Sequence, residues 1–100
     1  MFSHVVLFWT DPAQPNAAEE LLAGINQYLK GIPGLEYFHT GRMVPSHRPV
    51  VDQTYQVALN TVFKNKADHD AYQIHPQHLE FVDKVFKRVC RRVLVYDFEA

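Results

Sequence analysis

The chain is expected to be an α+β domain of order β-α-β-β-α-β. Three observations predict it. Runs of β-branched and aromatic residues stand near both ends, two stretches carry apolar residues at helical spacing, and Gly/Pro-rich breaks separate them. The 100 residues, 47% hydrophobic and 21% charged, suit one globular domain spanning 1–100 with a single core.

The first strand is read at Phe2 to Thr10, closed by Asp11-Pro12. Its alternation places His4, Val6 and Phe8 on one face and Val5, Leu7 and Trp9 on the other, so neither face suits water. Asn16 followed by Glu19 reads as a capping-box variant opening a helix with Leu21, Leu22, Ile25, Leu29 and Ile32 on its apolar stripe. Gly31, Pro33 and Gly34 end that helix. A second strand follows from Leu35 to Val44, in which Gly41 marks a bulge or a close backbone approach. The prolines of Pro45-Ser46-His47-Arg48-Pro49 then make a turn.

Thr54 to Phe63 is the third strand, with an alternation clean enough to suggest that it is less deeply enclosed than the first. A short helix runs from a cap at Asn65 to Ile74 and breaks at His75-Pro76, because a residue before proline is driven toward extended geometry. Pro76 starts a new helix with Leu79, Val82, Phe86 and Val89 buried. Arg92 to Phe98 is the fourth strand, setting Val93, Val95 and Asp97 against Leu94, Tyr96 and Phe98. The order is that of a ferredoxin-like protomer, an antiparallel sheet with both helices on one face. The apolar residues on the uncovered face then call for a second copy of the chain, giving a homodimeric α+β barrel.

Composition removes several function classes. A formal net charge of -1 without a basic stripe excludes a nucleic-acid surface, and Lys87, Arg88, Arg91 and Arg92 read as cations complementing a helix C-terminus. The single cysteine, Cys90, admits no internal disulfide and reads as inert core filling on the last helix. No signal peptide or membrane-length apolar segment is present, so a soluble, cytoplasmic protein with no membrane partner is expected. Arg42, His47 and Arg48 read as a solvated loop. There is no phosphate-binding glycine loop, nucleophile elbow or paired-cysteine motif. His75 and His78 lack the four-residue spacing of paired metal ligands on a helix, and no metal or cofactor is expected.

Four segments then stand out: His4-Val5-Val6-Leu7-Phe8, Tyr55-Gln56-Val57-Ala58-Leu59, Asp70-Ala71-Tyr72-Gln73-Ile74-His75-Pro76-Gln77-His78 with Phe81 beyond it, and Val95-Tyr96-Asp97-Phe98. Together they resemble the stress-responsive dimeric α/β-barrel family over nearly the whole chain, Tyr-x-x-His-Pro-x-His being the most specific element. The resemblance implies a ferredoxin-like protomer, a homodimer and a cavity between sheet and helices. Plant members are associated with stress, and one is a polyketide cyclase whose catalytic Tyr and His match Tyr72 and His78 and whose first-strand His matches His4. That cyclase has a further pocket histidine where this chain has Val57.

The candidate site follows. His78 suits a general base, because an unperturbed imidazole takes up a proton near neutrality. Tyr72 suits a hydrogen-bond donor to it or to a substrate oxygen, and His4 a third polar group. The proline break lets Tyr72 and His78, six residues apart, face one pocket. The expected catalytic residues are Tyr72, His78 and His4, and the expected pocket comprises His4, Val6, Phe8, Tyr72, His75 and His78, with His75 also placed to tether the turn. The residues leave three functions open: a cofactor-independent, cyclase- or isomerase-like enzyme acting on a small hydrophobic or aromatic molecule, a non-catalytic binder of such a molecule, and a stress-protective oligomer.

Overall fold

Strand β1 (Phe2–Thr10) lies inside the sheet, paired antiparallel on one side with β3 (Val57–Phe63) and on the other with β4 (Cys90–Glu99). The structure, a computed structural model, describes residues Met1–Ala100. β2 (Leu35–Arg42) pairs with β3, giving the sheet order β2-β3-β1-β4. The helices cover one face, so the protomer is ferredoxin-like α+β, as its alternation predicts.

Because side chains alternate across a strand, His4, Val6 and Phe8 face the helices and are buried, while Val5, Leu7 and Trp9 are half-buried on the opposite face. β3 repeats the pattern, with Val57, Leu59, Thr61 and Phe63 buried. The expectation that β3 is less enclosed than β1 is therefore corrected: both are central strands with a helix-covered face. Thr61 enters the core without an unpaired hydroxyl, since it donates to the His4 carbonyl at 2.8 Å. Strands β2 and β3 stop short of Val44 and Thr54, and β4 is longer than expected, its first residue being Cys90. Burial pushes the thiol of the half-buried Cys90 up to about 12, which keeps it protonated, at the start of a strand rather than on a helix. Gly41 makes neither a bulge nor a close approach; it pairs in register with Ala58, and the irregularity lies between Leu35 and Tyr37.

Helix α1 (Ala17–Gly24) runs on through a π turn, Ile25–Leu29, and buries Leu21, Ile25 and Leu29 completely. The expected capping box is absent: the Asn16 side chain makes no cap bond, and its carbonyl accepts the Glu20 N–H at 3.0 Å. Gly34, at a φ of 100°, supplies the left-handed residue that turns the chain into β2. Helix α2 (Lys66–Gln73) opens as predicted, the Asn65 side chain accepting the Asp68 N–H at 2.9 Å. Pro76 opens α3 (Pro76–Phe81), which continues through a π turn, Val82–Phe86, and a last turn, Lys87–Val89. That wide turn retards the helical phase, so residues four apart, Phe81, Val85 and Val89, share the buried face. Leu79, expected on the buried stripe, is instead exposed.

The basic residues disperse. Arg88 bonds Glu20 at 2.7 Å, Arg91 bonds Asp11 at 3.0 Å, and Arg92 stacks over the Trp9 ring at 4.1 Å. Arg42, His47 and Arg48 are exposed. No helix is long and apolar enough to cross a membrane.

Helices α1 and α3 touch where Gly24 meets Val85. A Cβ added at Gly24 would stand 2.7 and 2.8 Å from the two Val85 methyl carbons. Val85 is buried and rigid at χ1, so it has little room to yield. Gly24→Ala is expected to destabilise the protein by about 1–3 kcal/mol despite alanine's better helix propensity, read as a lower urea midpoint with unchanged slope.

Candidate functional site

A cavity of about 200 Å³ lies between the helix-facing side of β1 and β4 and the helices α2 and α3. Of its 13 lining residues, 10 are hydrophobic. Each wall has a sequence cause. The inward positions of β1 supply His4, Val6 and Phe8, and the matching positions of β4 supply Val93 and Val95, because the register sets Val6 opposite Val95 and Phe8 opposite Val93. The roof is aromatic where the π turn of α3 brings Phe86 to within 6.1 Å of the Phe8 ring. Val93 and Val95 remain about two-fifths exposed although they line the cavity, so it opens along the edge strand β4.

Tyr72 and His78 both reach this cavity from opposite sides of the His75–Pro76 break, their rings edge-to-face at 4.9 Å. Tyr72 is also a core residue, packed 5.0 Å from the Phe63 ring. Burial raises its hydroxyl well above the usual phenol range, so it stays a proton donor. His78 Nδ1 is a buried polar atom without a hydrogen-bond partner. Burial first, and then the neighbouring His4 and His69, hold this imidazole down at about 4. The expected Tyr72 to His78 hydrogen bond is absent; desolvation does the work assigned to it.

His75 is the one expected pocket residue that the structure puts elsewhere. It caps α3, its Nδ1 accepting the Gln77 N–H at 3.1 Å, and it does not line the cavity. The physical reason is the pre-proline geometry: an extended backbone at φ -61° and ψ 139° turns its ring back onto the helix it precedes.

Three residues that sequence reasoning did not single out gather around His4 at the polar end of the cavity, and of them Gln73 lines it. Asp97 lies directly across the β1–β4 ladder from His4 and accepts its Nδ1–H at 2.6 Å. Burial nonetheless outweighs that carboxylate and lowers the His4 pKa, so the contact joins a neutral imidazole to a carboxylate. His69 and Gln73, four apart on α2, present one face to β1. His69 Nε2 stands 3.1 Å from His4 Nδ1, and its Nδ1 donates to Asp70 at 3.1 Å. The Gln73 amide lies 3.1 Å from both His4 Nε2 and His69 Nε2. The signals were the strand alternation that puts Asp97 on the cavity face and the four-residue spacing of His69 and Gln73.

These features define a ferredoxin-like α+β protein with an apolar cavity that is polar at one end. Residues 2–100 match the Stress Responsive A/B Barrel Domain family, and the chain belongs to it. It is 27% identical over 97 residues to a stress-response A/B barrel domain-containing protein of Arabidopsis thaliana, covering 97% of this chain and 84% of the relative. Its fold superposes with a TM-score of 0.79 on a dimeric ferredoxin-like protein of unknown function from Thermobifida fusca, at 18% identity over 99% of this chain and 90% of the other. A TM-score of 0.74 relates it to a hydroxynitrile lyase from Passiflora edulis, at 18% identity over 97% and 90% of the two chains.

The buried imidazole has a pH signature. An unfolded His78 binds its proton near 6.5, whereas the folded ring resists protonation until about 4. Below 6.5 the unfolded state binds more protons, so stability is full above that value and falls as pH drops toward 4. After allowance for the ring's partial solvent screening, the loss from this group is about 1–2 kcal/mol. Urea midpoints at pH 7.5 and 4.5 are expected to lie closer together for His78→Gln than for the unmodified protein.

Proposed function

We propose that the chain works as a homodimer in which each protomer offers a pocket to a small hydrophobic or aromatic molecule bearing a carbonyl or hydroxyl group, and that the pocket catalyses proton transfer. The observation that carries this reading is the pair of side chains in the cavity wall, a His78 ring kept neutral at physiological pH by burial and standing edge-on to Tyr72. A cavity of this volume, about 200 Å³, is of the order that holds a single aromatic ring.

In this reading neutral His78 takes a proton from the substrate, and the Tyr72 hydroxyl donates to the oxygen on which negative charge develops. A ring held at about 4 is a weak base in the empty cavity. The substrate anion supplies the missing counter-charge, so the imidazolium and the anion form as a pair in a medium of low dielectric. Return of the proton to a different atom gives isomerase-like chemistry; attack of the enolate carbon on a second carbonyl of the same molecule, with the His78 proton delivered to the alkoxide so formed, gives cyclase-like chemistry. His4, at the polar end, anchors a second polar group of the substrate. The hydroxynitrile lyase relative supports the reading only in showing that this fold carries enzymes.

The test uses single-ring aryl ketones such as acetophenone and follows α-proton exchange in D₂O by NMR. The unmodified protein is expected to accelerate exchange, His78→Ala to lose about 10²-fold or more, and Tyr72→Phe to lose rate while keeping ligand-induced shifts. Binding without any exchange supports the second reading, a non-catalytic carrier, which the mostly hydrophobic lining favours. Absence of both binding and exchange across the panel overturns the pocket reading altogether.

The dimer is inferred from the open sheet face, where Tyr37, Tyr96 and Phe98 are 49%, 56% and 62% exposed beside Val5 and Leu7. Covering such a face is favourable at about 25 cal/mol per Å² of apolar area, and the dimeric Thermobifida fusca relative supports the same arrangement. Light scattering is expected to give twice the 11.6 kDa chain mass. Leu7→Glu, which buries a charge in the contact, is expected to yield monomer or insoluble protein; a well-folded monomer of the unmodified chain refutes the assignment.

A further inference from the structure

We propose that His4, His69 and Asp97 form a binding site for a divalent transition-metal ion of the zinc type, with Gln73 beside its remaining coordination position. The site lies at the polar end of the cavity and ties β1, α2 and β4 together. It does not depend on the proton-transfer reading, whose chemistry rests on His78 and Tyr72; His4 is the one residue that the two share.

The geometry carries the proposal. One nitrogen from each ring and one carboxylate oxygen of Asp97 all lie within 4.8 Å of one another. His4 Nδ1 is 3.1 Å from His69 Nε2 and 2.6 Å from Asp97 Oδ1. Tetrahedral zinc, with bonds of about 2.0–2.1 Å, sets neighbouring donors about 3.3 Å apart. The two imidazoles are thus already near ligand spacing. The Asp97 carboxylate has to swing about 0.7 Å away from His4 Nδ1 and toward His69, and with its side chain 41% exposed it is free to do so.

Without an ion, these three electron-pair donors converge on a single proton. The one hydrogen of His4 Nδ1 faces both the Asp97 carboxylate and the unprotonated His69 Nε2. A cation in that place accepts a pair from each. The outer nitrogens fit as well. A ligand imidazole must carry its proton on the nitrogen that does not bind metal, and this proton needs an acceptor. His69 Nδ1 has the Asp70 carboxylate at 3.1 Å, and His4 Nε2 has the Gln73 amide at 3.1 Å, whose oxygen and nitrogen are interchangeable in orientation. Asp97 and Asp70 together balance the charge of a divalent ion. The donor set, two imidazoles and one carboxylate, suits borderline divalent ions such as Zn²⁺ and Co²⁺ rather than Mg²⁺ or Ca²⁺. A cation bound here leaves His4 Nε2 turned toward Gln73, and both residues line the cavity.

The experiment titrates tag-free, chelator-stripped protein with Co²⁺, followed by its visible absorption, and then displaces it with Zn²⁺. One ion per chain is expected. Asp97→Asn, which keeps the shape and a carbonyl acceptor, and His69→Ala are each expected to weaken binding at least 10-fold, and Asp70→Asn by about 10-fold through the outer shell. His75→Ala, outside the donor cluster, is expected to bind as the unmodified chain does. Zn²⁺ is expected to raise the melting temperature of the unmodified protein and of His78→Ala but not of Asp97→Asn, which separates this site from the proton-transfer machinery. No uptake at a tenfold excess of Co²⁺, or equal affinity in the unmodified protein and Asp97→Asn, overturns the proposal. Should His69→Ala fail to fold, the Asp97→Asn comparison decides alone.

Discussion

The register between β1 and β4 is the constraint from which the rest of the site follows. It sets His4 opposite Asp97, Val6 opposite Val95 and Phe8 opposite Val93, all on the helix-facing side. A slip of one residue turns every β4 side chain to the other face, which would leave His4 buried beneath the helices with no carboxylate. Burying an imidazole is tolerable only when its polar atoms are satisfied, so the His4–Asp97 contact at 2.6 Å and the apolar cavity floor are specified together. The opposite face is set by the same register: Val5 beside Tyr96 and Leu7 beside Leu94 make the apolar surface that a second copy of the chain would cover.

Within the cavity the imidazoles occupy different environments. His78 stands among hydrophobic side chains, has no carboxylate partner, and is held neutral by desolvation. His4 stands at the polar end, held by Asp97 and neighboured by His69 and Gln73. Environment rather than residue type therefore separates the two rings, one neutral and without a carboxylate partner in a mostly apolar wall, the other hydrogen-bonded to Asp97. The division depends on backbone irregularity in α2 and α3. The His75–Pro76 break re-aims the chain between Tyr72 and His78, and the π turn at Val82–Phe86 sets Phe86 beside Phe8 while Phe81, Val85 and Val89 stay buried.

Local chemistry made much of this legible in the sequence. Alternation in β1 and β3, the Asn65 cap, Pro76 as a first helical residue and the break before it are decided by side chains within a few residues of one another. They therefore determined the order of elements and the faces of the strands, and the proline break allowed Tyr72 and His78, singled out by the family resemblance, to face one space. Where local signals competed, only the structure decided. The Asn16 side chain makes no cap bond, and His75 turns onto its own helix instead of into the cavity. The polar cluster was wholly a tertiary result. His4 and Asp97 are 93 residues apart and His4 and His69 are 65 apart, so no periodicity or motif spacing links them. Sequence alone specified which residues can be buried and on which face; only the closing of β4 and α2 onto β1 determined which buried groups meet, because that depends on long-range register and packing rather than on neighbours along the chain.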